Sequence, residues 1–185
     1  MRHAQTIPQD GVDNKDWGLS KEGIHQSAMA VPALQKLNIH AIYSSPYPRA
    51  IECITPFAEN AELDIYTHDG FKDLSVIEKT VAPTEFQALV QKMFTDKTFA
   101  DPTGESFDSC QKRFIKAMND VAKRHEGQNV LICSHGMPIG SVLQAADPAY
   151  SYNDWSRMKM PHIFRFVSDG TDGIWDKDFK LDLSL

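Results

Sequence analysis

Apolar positions recur along the chain in short blocks of two kinds, and the alternation of the two kinds sets the expected architecture. Leu19-Ser20-Lys21-Glu22 opens a helical pattern in which Ser20 can cap the first N–H groups and Ile24, Ala28, Val31 and Leu34 share one face. Pro32 falls inside that pattern and is expected to kink or interrupt it. Ile39 to Tyr43 is short, apolar and β-branched, which predicts a buried strand, and Arg49 to Phe57 returns to helical spacing. Glu62 to Tyr66 is a further strand candidate, followed by a turn at His68-Asp69-Gly70. Pro83 to Phe94 predicts an inserted helix, and Asp101-Pro102-Thr103-Gly104 a loop.

The clearest helix runs from Ser106 through Phe107, Cys110, Phe114, Met118 and Val121 to near Gly127. Asn129 to Cys133 is a continuous apolar run too short for a helix, and it predicts a central parallel strand. A helix is expected from Ile139 to Ala145. Late strands are expected at Ile163 to Val167 and Ile174-Trp175, with a turn at Asp169-Gly170-Thr171. Strands alternating with helices imply an α/β fold of three layers, a mostly parallel sheet with helices on both faces. Ligands in such sheets sit beyond the carboxyl ends of the strands. Arg2-His3, Ser45 to Arg49 and Ser134-His135-Gly136 all fall there.

Composition narrows the function classes. The 185 residues, 42% of them hydrophobic, suffice for one substantial core, so residues 1–185 are expected to form a single domain. No apolar run approaches the length of a membrane span and no signal-peptide pattern opens the chain, so a cytoplasmic protein with no membrane partner is expected. A net charge of -6 with no basic stripe argues against a nucleic-acid partner. Cys53, Cys110 and Cys133 are odd in number and widely spaced, which suits free thiols better than a disulfide or zinc framework.

A small phosphate ester remains a fitting ligand. His3 offers an imidazole nitrogen as nucleophile, Arg2 and Arg49 offer forked donors for phosphate oxygens, and His135 offers a further donor or charge. Each has an ordinary reading beside the chemical one, since a lone Arg is usually solvated and a lone His usually structural. His25, His40, His68, His125 and His162 are left with that ordinary reading, although His162 lies where it can reach a rim. Gln5 and Thr6 stand between pocket floor and loop stabilisation.

Arg2-His3-Ala4-Gln5-Thr6 resembles the RHG-type signature of the histidine phosphatase superfamily, the phosphoglycerate mutase-like family. Leu19 to Ala28 resembles its first-helix pattern and Tyr43-Ser44-Ser45-Pro46-Tyr47-Pro48-Arg49-Ala50 its second motif. Gly104-Glu105-Ser106 and Val130 to Gly136 complete the set. The resemblance implies a phosphohistidine on His3, phosphate binding by Arg2, Arg49 and His135, and an acidic residue that protonates the leaving oxygen. Asp73, in Phe71-Lys72-Asp73-Leu74, matches the family's place for that acid, one methylene shorter than the usual Glu. Glu105 is the alternative, with ordering of its loop as its ordinary reading. Catalysis without metal or cofactor on a small phosphorylated substrate is expected, hence a phosphoric monoester hydrolase. A mutase-type phosphotransferase and an inactive phospho-ligand-binding relative are the alternatives.

Three departures stand out. The glycine and tryptophan that follow the acid in many relatives are replaced by Ser75-Val76-Ile77-Glu78-Lys79, and Cys53 stands where relatives often carry Thr. Relatives also place an apolar strand directly before the RH pair, where only Met1 stands. Most of the first strand is therefore expected to be lacking, leaving a gap in the sheet or a place filled by a neighbouring chain.

Overall fold

A computed structural model describes residues 1–8, 11–76, 82–168 and 173–183. Among them the elements follow in the order α1 (Lys21–Gln35), β1 (Ile39–Ser44), α2 (Pro48–Ala61), β2 (Ile65–Thr67), α3 (Pro83–Thr95), α4 (Phe107–Arg124), β3 (Asn129–Cys133), α5 (Gly136–Ala146), α6 (Tyr152–Ser156), β4 (Arg165–Ser168) and β5 (Gly173–Asp176). β1 lies between β2 and β3 in a parallel sheet, with Tyr43 opposite Tyr66 on one side and Ile132 on the other. β4 and β5 form a separate antiparallel pair, and the turn expected between them falls outside the described residues, as do Ile77, Glu78 and Lys79.

The strand pleat divides the core. Ile42, Leu131 and Cys133 point to the face covered by α1 and α2, where they join Leu34, Ile54 and Phe57. Ala41 and Tyr43 point to the opposite face and meet Phe114, Val121, Met137 and Leu143 of α4 and α5. Helices thus cover both faces of the parallel sheet, as the alternation of blocks predicts.

Local chemistry explains most boundaries and several corrections. Ser20 and Ser106 cap α1 and α4 through the N–H groups of Gly23 and Ser109, at 3.0 and 3.1 Å. The buried face of α1, however, is Gly23, Ser27, Ala30, Ala33 and Leu34, and Ile24 is 60% exposed. The reason lies at Gly23, where a Cβ would sit 2.0 Å from the Gln5 carbonyl oxygen, so the small-residue side of the helix faces the N-terminal segment. Pro32 does not end the helix, whose last turn is held by the packing of Ala33 and Leu34. The Glu62 to Tyr66 candidate shrinks to Ile65–Thr67 because Glu62 takes a left-handed conformation at the end of α2. His40 sits at the register shift between β1 and β3, and its Nδ1 accepts the Asn129 N–H at 3.1 Å.

β3 is the edge of its three-stranded sheet rather than a central strand, and residues 1–3 lie along its carboxyl end. Arg2 is bridged to Ser134 in parallel and to His162 in antiparallel fashion, with Arg2 N–H to His162 carbonyl at 2.7 Å and His3 N–H to Ser134 carbonyl at 3.0 Å. Below that stub, a groove of about 890 Å³ separates β3 from the Ile163 to Ser168 segment, with Phe114, Met118 and Val121 among its apolar lining.

Candidate active site

Three segments converge beyond the carboxyl ends of β1 and β3. The stub along β3 fixes His3, the turn after β1 delivers Ser45 and, one helical turn on, Arg49, and the end of β3 delivers His135 as the cap of α5. His3, Arg49 and His135 are 5%, 2% and 0% exposed. Such burial of polar side chains requires partners, and the partners define the site.

His3 Nδ1 lies 2.7 Å from the Ala4 carbonyl oxygen, which can only accept. Nδ1 therefore carries the ring proton and the lone pair is on Nε2. Burial, reinforced by the neighbouring His135 and Arg49, pushes the His3 imidazole down to about 3, against the opposing pull of the Ala4 carbonyl and Asp73. The ring is thus neutral at pH 7. Its centroid stands 5.1 Å from that of His135 in an edge-on arrangement.

Arg49 spreads its donors over three partners. Nε donates to His135 Nδ1 at 3.2 Å, Nη1 to the Asn14 carbonyl at 2.6 Å and Nη2 to Asp73 Oδ2 at 3.0 Å. Because Nε–H can only donate, His135 accepts at Nδ1 and donates from Nε2 to the Ser45 hydroxyl at 2.8 Å. Burial first, then the charges of Arg49, Arg2 and Arg113, hold His135 well below the ordinary imidazole range. Asp73 completes the cluster. Its Oδ1 accepts the Leu74 N–H at 2.9 Å and its Oδ2 also stands 3.6 Å from His135 Nδ1.

Arg2 joins from the other side. Its Nη1 donates to the Met158 carbonyl at 2.5 Å, while its buried Nε has no partner among the described residues. Gly136 lies directly against it, since a Cβ there would come within 3.2 Å of Arg2 Nε and 3.3 Å of Trp155 Nε1. The small residue at 136 makes room for those two side chains.

The remaining candidates have other surroundings. Glu105 is held by Arg113 through both oxygens, at 3.0 and 2.7 Å. Thr6 donates to the Gly18 carbonyl at 2.5 Å, and the Gln5 side-chain carbonyl accepts from Ser20, so both fasten the start of α1 to the N-terminal loop. His68 caps Gly70 N–H, His125 bonds Tyr43 and Gln128, and His25 is exposed. His162 packs its ring on Phe164 beside the Arg2 bridge. All three cysteines are buried free thiols, and Cys53 does more than pack, since its Sγ accepts the Ala4 N–H at 3.2 Å directly behind His3. Among the described residues no group of His, Cys, Asp and Glu is arranged to hold a metal ion, and no helix is long and apolar enough to cross a membrane.

Sequence reading did not single out Ser45, the Asn14 carbonyl, Trp155 or Arg113. Their signals are contacts across 8 to 90 positions of sequence with no shared motif, and only Ser45 sat inside a motif already recognised.

A parallel sheet with helices on both faces, and with His3, Arg49 and His135 buried together beyond its strand ends, defines an α/β protein whose polar cluster stands at the carboxyl edge of the sheet. The chain belongs to the histidine phosphatase superfamily, branch 1, whose family model matches residues 1–170. It is 27% identical over 191 residues to a bifunctional protein of Mycobacterium tuberculosis, covering 94% of this chain and 51% of that protein, so it spans about half the length of that relative. It is 30% identical over 151 residues to a 2,3-bisphosphoglycerate-dependent phosphoglycerate mutase of Thermoplasma acidophilum, covering 77% of this chain and 72% of the mutase. Among solved structures it shares its fold with a mycobacterial glucosyl-3-phosphoglycerate phosphatase in complex with inorganic phosphate, at a TM-score of 0.74 and 20% identity over 98% of this chain and 92% of that one. A phosphoserine phosphatase of Entamoeba histolytica matches at a TM-score of 0.74 and 22% identity, covering 94% and 91%.

Proposed function

We propose that the chain is a metal-independent phosphatase that hydrolyses small phosphate monoesters through a phosphohistidine on His3. The observation that carries this reading is the His3 geometry, a neutral ring protonated at Nδ1 by its bond to Ala4, with Nε2 left as the nucleophilic nitrogen. Nε2 attacks phosphorus as the ester P–O bond breaks, and the leaving oxygen takes a proton from Asp73. Water then attacks the phosphohistidine, gives its proton back to Asp73, and the P–N bond breaks to release phosphate. Splitting the displacement in two replaces one slow step by two easier ones.

Arg49 and Arg2 supply the charge that the transferring phosphoryl group needs, in a buried setting where such donors act strongly. Arg49 now spends its donors on His135, Asp73 and Asn14, so a bound phosphoryl group would draw them to its own oxygens and free the Asp73 carboxyl to carry the proton. His135, relieved of the Arg49 donor at Nδ1, would then be free to turn a ring N–H to phosphate as a neutral donor. Asp73 is favoured over Glu105 as the acid because it touches Arg49 and faces His135, whereas both Glu105 oxygens are bonded to Arg113.

The names of the relatives suggest a substrate class. Phosphoserine, phosphoglycerate and glucosyl-3-phosphoglycerate all carry their phosphate ester on a three-carbon acid unit. A mutase-type transfer is the second reading, favoured by the identity to the Thermoplasma enzyme. Phosphate release from p-nitrophenyl phosphate, phosphoserine and 3-phosphoglycerate, with and without EDTA, tests the first. Turnover undiminished by EDTA is expected. Inhibition by EDTA that added metal reverses would contradict it, and isomerisation of 3-phosphoglycerate dependent on added 2,3-bisphosphoglycerate would favour the mutase.

A further inference from the structure

We infer that Arg113 is a positioning residue for Asp73, an inference that rests on Asp73 being the acid for the leaving group. Arg113 lies on α4, and its planar guanidinium has five N–H donors. All five are accounted for. Nη1 donates to the Gly70 carbonyl at 2.9 Å and the Lys72 carbonyl at 3.1 Å, Nε and Nη2 donate to the two Glu105 oxygens, and Nη2 also meets Cys110 Sγ at 3.5 Å. The Lys72 carbonyl belongs to the peptide unit whose nitrogen is that of Asp73.

Glu105 closes the clamp from its main chain. Its N–H donates to the Ser75 carbonyl at 2.7 Å, and the neighbouring Gly104 packs so closely that a Cβ would lie 2.4 Å from the Val76 carbonyl oxygen. The Phe71 carbonyl accepts from the Ser134 hydroxyl at 2.8 Å. Carbonyls on both sides of Asp73 are therefore fixed, to α4 through Arg113, to the Gly104-Glu105 turn, and to the end of β3. The short Asp side chain has few torsions of its own, so the place of its carboxylate is set by the backbone that these bonds hold. Because Arg113 is paired with Glu105, the clamp acts through geometry more than through net charge. A lysine at 113 offers one nitrogen in place of three and cannot bridge Lys72 and Glu105 together.

The consequence separates a positioning role from a merely structural one. p-Nitrophenolate leaves without being protonated, whereas the alkoxide of phosphoserine needs an acid. Kinetics of Arg113→Lys, Asp73→Asn and the double variant on both substrates, with thermal unfolding of each, test the inference. Arg113→Lys is expected to lose about 10²-fold in kcat/KM on phosphoserine, the scale of a general acid, and less than about threefold in kcat/KM on p-nitrophenyl phosphate, because kcat/KM reports the phosphorylation step and not the dephosphorylation that the two substrates share. In the double variant the phosphoserine loss should be no greater than in Asp73→Asn alone, since the two act as one unit. An equal loss on both substrates in Arg113→Lys, beside a selective loss in Asp73→Asn, would overturn the positioning role alone. An unselective loss in Asp73→Asn would instead remove the acid assignment beneath it. If Arg113→Lys fails to fold, Glu105→Gln, which loosens the same clamp from its other side, carries the same selective expectation.

Discussion

Arg49 and Asp73, 24 residues apart in sequence, are joined by a 3.0 Å bond between Nη2 and Oδ2 in a setting where Arg49 is 2% exposed. The pair ties the turn after β1 to the segment after β2, and through Nε the same guanidinium also holds His135. Removing one member of a buried pair costs more than the pair contributes, because the other is left desolvated without a partner.

Arg49→Ala is accordingly expected to lower kcat/KM on p-nitrophenyl phosphate by about 10²–10³-fold, the scale of one lost transition-state donor. Arg49→Lys should recover little, since a single ammonium cannot reach Asp73, His135 and the Asn14 carbonyl at once. Steady-state kinetics of both variants check this, and an Arg49→Lys enzyme of near-native activity would show that charge alone matters there.

Gly23→Ala places a methyl on the helix residue with higher intrinsic propensity, a gain of about 1 kcal/mol in an open helix. Here the added Cβ meets the Gln5 carbonyl oxygen at 2.0 Å, a backbone atom that cannot swing aside as a side chain could. A net loss of about 1–3 kcal/mol is expected from that forced shift. Urea denaturation measures it, and an unchanged or raised midpoint would mean that the N-terminal loop is not held where the structure has it.

The histidines also predict how stability varies with pH. His3 is pushed from the ordinary 6.5 down to about 3 in the folded chain. Between those values the unfolded chain binds a proton that the folded chain does not, so stability is full above about pH 6.5 and falls as pH drops toward 3. The slope from one such group is at most about 1.4 kcal/mol per pH unit. His135, shifted in the same direction, adds to it. Unfolding midpoints from pH 7 to pH 4 should therefore fall less steeply in His3→Asn than in the unaltered chain. Equal slopes would mean that His3 titrates normally.

Much of this was legible in the sequence because it rests on local signals. Ser20 and Ser106 announce their helices, the Asn129 to Cys133 run announces β3, and three short motifs announce His3, Arg49 and His135. What escaped depends on contacts between distant segments. The buried face of α1 departs from its apolar stripe because Gly23 looks indifferent until Gln5 lies against it. The central place expected for β3 did not hold because the order of strands is set by which distant segments pair, and among the described residues β1 takes the middle with β3 at the edge. Nothing local to Gly136 announces that Arg2 and Trp155 fill the space beside it. Arg113 and Glu105, eight positions apart, meet only because the loop before α4 folds back along it.

The central claim is that His3 Nε2 takes up the phosphoryl group. The most direct test is rapid acid-free denaturation during turnover of a ³²P-labelled substrate, comparing the unaltered chain with His3→Ala. Alkali-stable, acid-labile label on the unaltered chain and none on His3→Ala is predicted. Turnover with no label on either, or equal label on both, would contradict the assignment of His3 as the nucleophile.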